Sequence, residues 1–462
     1  MAKDKLTDYD STASGNLDVG GISVAEGMLP SGVNNAIREQ MSHLADFAAG
    51  TSGVDVLKLQ DDTDTNSIKL QAPASVTATT TFTLPDGDGA SGQAMITDGA
   101  GTLSWAAPYG NRNLIINGAM QVVQRGTSAT GITGGGFHTV DRLNNLLSSA
   151  GTWTFSQDTD VPSGQGFSYS NKRQCTTANA SLGSGSYFVD YYSIEGQDLQ
   201  QLAFGTSSAK SLTLSFWVKT NKTGTYQITF TTASASKSIG SSYTVNAANT
   251  WEKKTLTIVG DTASGIVNDN TVGLTIEMWY AAGTDFTSGT MPTAWGARVT
   301  ADRAAALTVN LADSTSNYLN ITGLQLEVGE QATPFEHRSF GDELARCQRY
   351  YYQTWPVGVS TSTDLTADNY DLGVMMHIND SKIMLGNKSL PVTMRASPSV
   401  TILSPTSASG KFWDEESDTD LNFSTTGSQI RFSPDEIVLQ EYDPGATIRR
   451  PAWIHIFCSA EL

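Results

Sequence analysis

The chain has 462 residues, with 46 acidic against 28 basic side chains and a formal charge of −18. A field of that sign repels nucleic-acid phosphates and anionic membranes, which argues against both as partners. Charged residues make up only 16% while glycines number 43, a balance that suits short strands joined by turns rather than a helical protein.

Residues 1–27 are polar, rich in Gly, Ser and Thr, and without period, as in an extended arm. The first ten residues are too polar for a signal peptide, and no apolar run approaches the ~18 residues of a membrane helix. A helix is expected from Met28, stopping near Gly50. Val33, Ile37, Met41, Leu44 and Ala48 recur at steps of three and four and share one face. A lone helix of this length is marginal in water. The heptad-like spacing predicts a parallel bundle of three identical chains, with Val33, Ile37, Met41 and Leu44 as trimer contacts.

Residues 51–107 read as a shaft of short strands around Val54–Leu59, Ile68–Leu70, Thr81–Leu84 and Ala94–Trp105. Asp-Gly and Gly-Thr pairs supply the positive φ that tight hairpins need. Strands so short and so weakly apolar cannot form an independent core. Three chains wrapped side by side could pool them.

From residue 108 to 338 the pattern changes to strict alternation. Leu212, Leu214, Phe216 and Val218 share a face, as do Tyr226, Ile228 and Phe230, and Val272, Leu274, Ile276 and Met278. Period two with spaced turns predicts one large antiparallel sandwich of the jelly-roll kind. A second helix is expected from Ser339, with Asp342 three residues on as in a capping box and a stripe of Leu344, Cys347 or Gln348, and Tyr351. Leu344 and Tyr351 are taken as further trimer contacts. Strand signals at 390–402, 429–432 and 451–457 then make a small β tip domain over 339–462.

Little in the chain suggests chemistry. Cys175, Cys347 and Cys458 are far apart and outside any metal-ligand spacing, so they read as small buried hydrophobes in a protein folded in a reducing cytoplasm. The five histidines are scattered, and His43 reads as a surface or trimer-contact residue. The densest acidic cluster, Asp414, Glu415, Glu416, Asp418 and Asp420, sits in a polar loop and reads as solvated. Asp62-x-Asp64-x-Asn66 starts like a calcium loop but lacks the glycine and the closing glutamate. No cofactor is expected. A structural calcium, there or at Asp261 or Asp269, is the one ion the oxygen ligands would favour. Sugar binding needs aromatic faces with polar neighbours, and Trp279, Tyr280, Trp413 and Tyr442 are the candidates chosen for a receptor site.

Three segments together resemble tail-fibre proteins of tailed bacteriophages, especially those of marine and cyanobacterial hosts. They are Glu26–Arg38; Arg112–Gly126, followed by Thr139-Val-Asp-Arg142; and 323–351, which holds Gly-Leu-Gln-Leu-Glu-Val-Gly and Glu-Leu-Ala-Arg-Cys-Gln-Arg-Tyr-Tyr. The ending Ala460-Glu461-Leu462 is also similar, and the middle region resembles carbohydrate-binding jelly rolls. The resemblance implies a mainly β, elongated homotrimer. Residues 1–50 would attach to a tail or baseplate protein through Met28, Leu29, Pro30, Val33, Ile37 and Arg38, and the far end would grip a host glycan or lipopolysaccharide by avidity. It implies no catalytic residue, a place in the virion tail, and assembly in the host cytoplasm. Rival readings are a tail-spike polysaccharide depolymerase, which would need paired carboxylates about 5–10 Å apart, a head or collar fibre of the same build, and a cellular carbohydrate-binding protein.

Overall fold

The computed structural model describes residues 16–19, 21–25, 27–48, 56–60, 67–71, 81–87, 94–97, 100–106, 112–233, 236–360, 375–379, 382–404, 406, 409, 411–414, 419–422, 429–441 and 452–462. The chain forms two compact units, residues 1–90 with 95–105, and residues 91–94 with 106–462. The fold is mainly β.

In the first unit a two-residue hairpin, β1 (Asp18–Val19) and β2 (Ile22–Ser23), precedes helix α1 (Pro30–Ala48). Pro30 opens the helix, where its missing N–H costs nothing. Two hairpins follow, β3 (Val56–Gln60) with β4 (Ser67–Gln71), and β5 (Ala94–Thr97) with β6 (Leu103–Ala106). The helix buries Ala36 and His43, the latter expected as a surface or trimer-contact residue; its burial excludes the first of these. Its apolar stripe lies on another face. Val33, Ile37, Met41 and Leu44 are exposed, Met41 at 64%, and Leu29 beside them at 74%. Phe82, Leu84 and Met95 are exposed as well. Among the residues of this unit whose side chains are described, only Val19 and Ala36 are buried hydrophobics.

The second unit carries the core. Strands β7 (Ser128–Ile132), β8 (Asn144–Ser148), β9 (Thr152–Asp158), β10 (Ser170–Thr177), β11 (Tyr187–Glu195), β12 (Leu212–Thr220), β13 (Gly224–Thr232), β14 (Lys237–Val245), β15 (Glu252–Ile258), β16 (Val272–Ala282), β17 (Gly296–Ala297) and β18 (Tyr318–Val328) form two six-stranded antiparallel sheets. The first runs β15-β12-β18-β10-β9-β7 and the second β17-β14-β13-β16-β11-β8. This is the sandwich the alternation predicts. Leu214, Phe216 and Val218 from the first sheet meet Ile228, Phe230, Ile276 and Met278 from the second in one core. Each such side chain stabilises the fold by about 1.5–3 kcal/mol. Arg173 of β10 and Asp190 of β11 form an ion pair inside this core, fully buried. Asn145 (2.6 Å) and the Tyr280 hydroxyl (2.9 Å) donate to the same carboxylate, so the buried charge is paired and hydrogen-bonded.

After the sandwich, helix α3 (Phe340–Gln348) begins as predicted, with Ser339 Oγ accepting from the Asp342 N–H at 3.2 Å. Strands β19 (Tyr351–Gln353), β20 (Met375–Asn379), β21 (Lys382–Ser389), β22 (Ser399–Leu403), β23 (Lys411–Asp414), β24 (Thr419–Asn422), β25 (Gln429–Phe432), β26 (Glu436–Glu441), β27 (Ala452–Trp453) and β28 (His455–Ser459) make three small sheets. Their orders are β19-β28-β22, β20-β21-β26-β25 and β24-β23-β27. A second, smaller core holds Leu390, Met394, Ile402, Ile437, Ile456 and Cys458. All three cysteines are buried and free.

The motif residues converge on a joint between sandwich and terminal sheets. Asn113 Oδ1 accepts from the N–H groups of Ile115 and Leu326, while its Nδ2 donates to Leu324 O. The Leu324 carbonyl oxygen stands 2.0 Å from where a Cβ on Gly118 would be, so only glycine fits. Glu343 of α3 accepts from the Asn117 N–H and from Arg338 Nη1. Gln124 Nε2 donates to Asp141 Oδ2 (2.6 Å) and to Tyr351 O (2.7 Å). Arg125 bridges Asp141 (3.2 Å) and Glu461 (3.0 Å), and Arg142 takes the other Glu461 oxygen at 2.6 Å. The two guanidinium groups lie over the rings of Tyr351 (3.6 Å) and Tyr350 (3.4 Å). Tyr351, expected as a trimer contact, is therefore buried under Arg125 at the start of β19; Leu344 is half-buried on α3. Burial pushes the Asp141 carboxyl up to about 7 against the pull of Arg125.

Candidate functional site: two outer faces of the sandwich

Alternation along the strands decides which side chains leave the core. On β12 the inward set Leu214, Phe216, Val218 leaves Trp217 and Lys219 facing out, both half-buried. On β10 and β18 the outward residues include Lys172, Gln174, Tyr318 and Asn320. The register sets Ser156, Lys172, Asn320 and Lys219 in one row across four strands.

Around this row stand ion pairs and aromatics. Lys172 meets Asp158 at 3.1 Å, and Lys219 meets Asp160 at 2.6 Å. Trp251 Nε1 donates to the other Asp160 oxygen at 2.9 Å. The Tyr318 hydroxyl donates to Asn249 Oδ1 at 2.7 Å, and Lys172 Nζ sits 5.7 Å from the Tyr318 ring centre. Partial burial works against ionisation of Asp160, but the hydrogen bonds from Lys219 and Trp251 outweigh it and hold the carboxyl below its ordinary range. In the floor, Asn320 is 1% exposed. Its Nδ2 donates to Ser170 Oγ at 3.0 Å and its Oδ1 makes no hydrogen bond. A buried amide oxygen without a donor costs about 1–3 kcal/mol. Half-buried rings and fixed carboxylates are what a polyhydroxylated ligand needs.

The outer face of the second sheet is built differently. A segment over 283–310, with helix α2 (Thr284–Thr287), folds across it. Ala304 N–H donates to Phe286 O, and Phe286 stacks edge-on to Tyr187 at 5.4 Å. Beneath, Trp279 is 1% exposed in a small cluster with Val189 and Ala304. Glu277, fully buried, is paired with Arg298 and Arg303, both at 2.9 Å. Arg303 also donates to the Tyr191 hydroxyl and lies 4.9 Å from the Trp279 ring centre.

Two receptor candidates are thereby corrected. Trp279 faces outward but is covered by 283–310, and Tyr280 faces inward, its hydroxyl bonded to Asp190 in the core. Neither can touch a receptor. Trp413 lies on β23 with its backbone paired to Asp420 and Trp453, its side chain outside the described set. Tyr442 lies outside the described residues, as do Asp62, Asp64 and Asn66. Asp261 is occupied by Lys237 at 3.0 Å, and Asp269 caps its own turn at Thr271. Among the described residues no cluster could hold a metal ion. Sequence reading missed Trp217, Lys219, Trp251 and Tyr318; the signal for Trp217 and Lys219 was their place between the apolar residues of β12.

No protein-family model matches the chain, and no curated protein matches it in sequence. Solved structures similar to part of it include the enzymatically active domain of tailspike protein 4 of bacteriophage CBA120, at 14% identity and TM-score 0.26, over 47% of this chain and 21% of that one. A family 11 carbohydrate-binding module of Clostridium thermocellum, in complex with a mixed-linked tetrasaccharide, is similar at 12% identity and TM-score 0.21, over 45% and 99% of the two chains. The tandem CBM22 domain of Paenibacillus barcinonensis Xyn10C matches at 10% identity and TM-score 0.22, over 77% and 100%. The chain spans about a fifth of the tailspike structure.

Proposed function

We propose that the chain is a homotrimeric, non-catalytic tail fibre that attaches a phage particle to host-surface glycan. The observation that carries the binding part is the half-buried set of Trp217, Trp251 and Tyr318 with Lys219 and Asp160 around the outward row of the first sheet. Rings suit the apolar side of a pyranose, and the part-exposed Asp160 offers acceptors to its hydroxyls. A rigid sandwich holds these groups in place, and three copies would multiply weak contacts.

Support for the trimer comes from the first unit. Its helix presents Val33, Ile37, Met41 and Leu44 to solvent, with Leu29 exposed just before it, a stripe that a parallel bundle of copies would cover. Met28, just before the same helix, and Pro30 and Arg38 in its first half belong to the segment that resembles virion-proximal parts of tail fibres. Assembly in the host cytoplasm and incorporation in the tail follow from that resemblance, and no cofactor is required.

Size-exclusion chromatography with light scattering should give three times the 49.1 kDa of one chain; a monomer would overturn the trimer. Purified full-length protein should bind host-surface polysaccharide on a glycan array, and Trp251→Ala together with Tyr318→Ala should abolish that binding. A drop in polymer viscosity on incubation would instead place it among depolymerases.

A further inference from the structure

The second outer face carries a donor-rich cluster that the adhesive row does not use. Glu277 is one carboxylate facing two guanidinium groups, Arg298 and Arg303. Among the described residues both make their ion pairs with Glu277 alone, so one positive charge is left over. The charge is not sealed in, because the Arg298 side chain is 36% exposed. Tyr191, half-buried beside it, accepts from Arg303 Nη2 and from Arg298 Nη2 at 3.5 Å. With its oxygen taken by two donors, its own O–H proton finds no acceptor among the described residues. Burial raises this phenol to about 12, so the proton stays on.

The register extends the site. Tyr191 stands opposite Asn144 on β8 and opposite Glu277 on β16. Asn144 Oδ1 is buried without a hydrogen bond. In the next row Ser193 and Thr275 place their hydroxyl oxygens 3.2 Å apart. A ligand here would meet a guanidinium edge and a phenol proton, both donors, next to one unfilled acceptor and a pair of hydroxyls.

We infer that this face binds an acidic sugar residue, with its carboxylate or sulfate on Arg298 and the Tyr191 hydroxyl and a ring hydroxyl donating to Asn144. A planar guanidinium matches such oxyanions better than an ammonium does. Surplus positive charge at this spot also answers a difficulty: the net charge of −18 makes the chain as a whole repel acidic polymers. The inference rests on the reading of the sandwich as glycan-binding, but it uses different residues.

The test is calorimetric titration of the full chain with an oligogalacturonate, the same oligosaccharide after reduction of its carboxyl groups, and dextran sulfate. The uronate form should bind at least tenfold tighter than the reduced form, and dextran sulfate binding would widen the class to sulfated sugars. Arg298→Ala should remove the preference, while Arg298→Lys should keep part of it. Arg303 still neutralises Glu277 in both variants, and an unchanged melting temperature checks that the fold survives. Trp251→Ala should leave uronate binding intact, which separates failure of this site from failure of the first-face row. Equal binding of the uronate and reduced forms, no binding of either acidic probe, or full binding by Arg298→Ala would each overturn the inference.

Discussion

The two outer faces of the sandwich are made by the same alternation yet differ in how they end. On the first sheet the outward Trp217, Lys219 and Tyr318 stay half-buried, with Trp251 beside them. On the second the outward Trp279 is closed off by 283–310. Period two tells which side of a strand a residue takes. It does not tell what lies over that side, because a covering segment has no period of its own.

Substitutions should separate the faces sharply. The largest effect is expected under the cover. Glu277→Ala leaves Arg298 and Arg303 without their counter-charge, and should cost about 3–5 kcal/mol in urea unfolding. A loss below 1 kcal/mol would mean that the cover is loosely held.

Next comes the joint that underlies both faces. The folded pKa of Asp141, about 7, lies above its unfolded value. The folded state therefore holds this proton more tightly, its contribution is full below about pH 4, and stability is lost as pH rises toward 7. Melting temperature should fall across that window, and Asp141→Asn should flatten the fall. An unchanged slope in the variant would reject burial as the cause.

On the open face the effects shift from stability to binding. Trp251→Ala should change unfolding free energy by under about 1.5 kcal/mol yet weaken glycan binding about tenfold. Smallest of all, Asp160→Ala should cost at most about 1 kcal/mol, since the side chain is 42% exposed and its pair with Lys219 is screened by water. If Asp160→Ala proved as damaging as Glu277→Ala, the distinction between the faces would fail.

Much of this architecture is legible in the sequence. The inward set on β12, the capped start of α3 at Ser339 and the stripe on α1 all follow from spacing. Tyr280 was legible too. Leu274, Ile276 and Met278 point inward, so Tyr280 belongs with them, and pairing it with Trp279 joined residues on opposite faces. Other features were beyond reach. Tyr351 continues the spacing of α3, but the helix ends at Gln348 and Arg125, more than two hundred positions earlier, settles over its ring. The Glu277 cluster draws residues from β11, β16 and the covering segment, which no local pattern connects.

Arg125 and Glu461 are 336 positions apart in the chain, and Arg142 leans on the same carboxylate. On the ribosome Arg142 waits for that carboxylate until the chain has run to Glu461, while Arg125 already has Asp141. A polypeptide stopped short of Glu461 would hold one guanidinium group without its counter-charge where its sheets should lock.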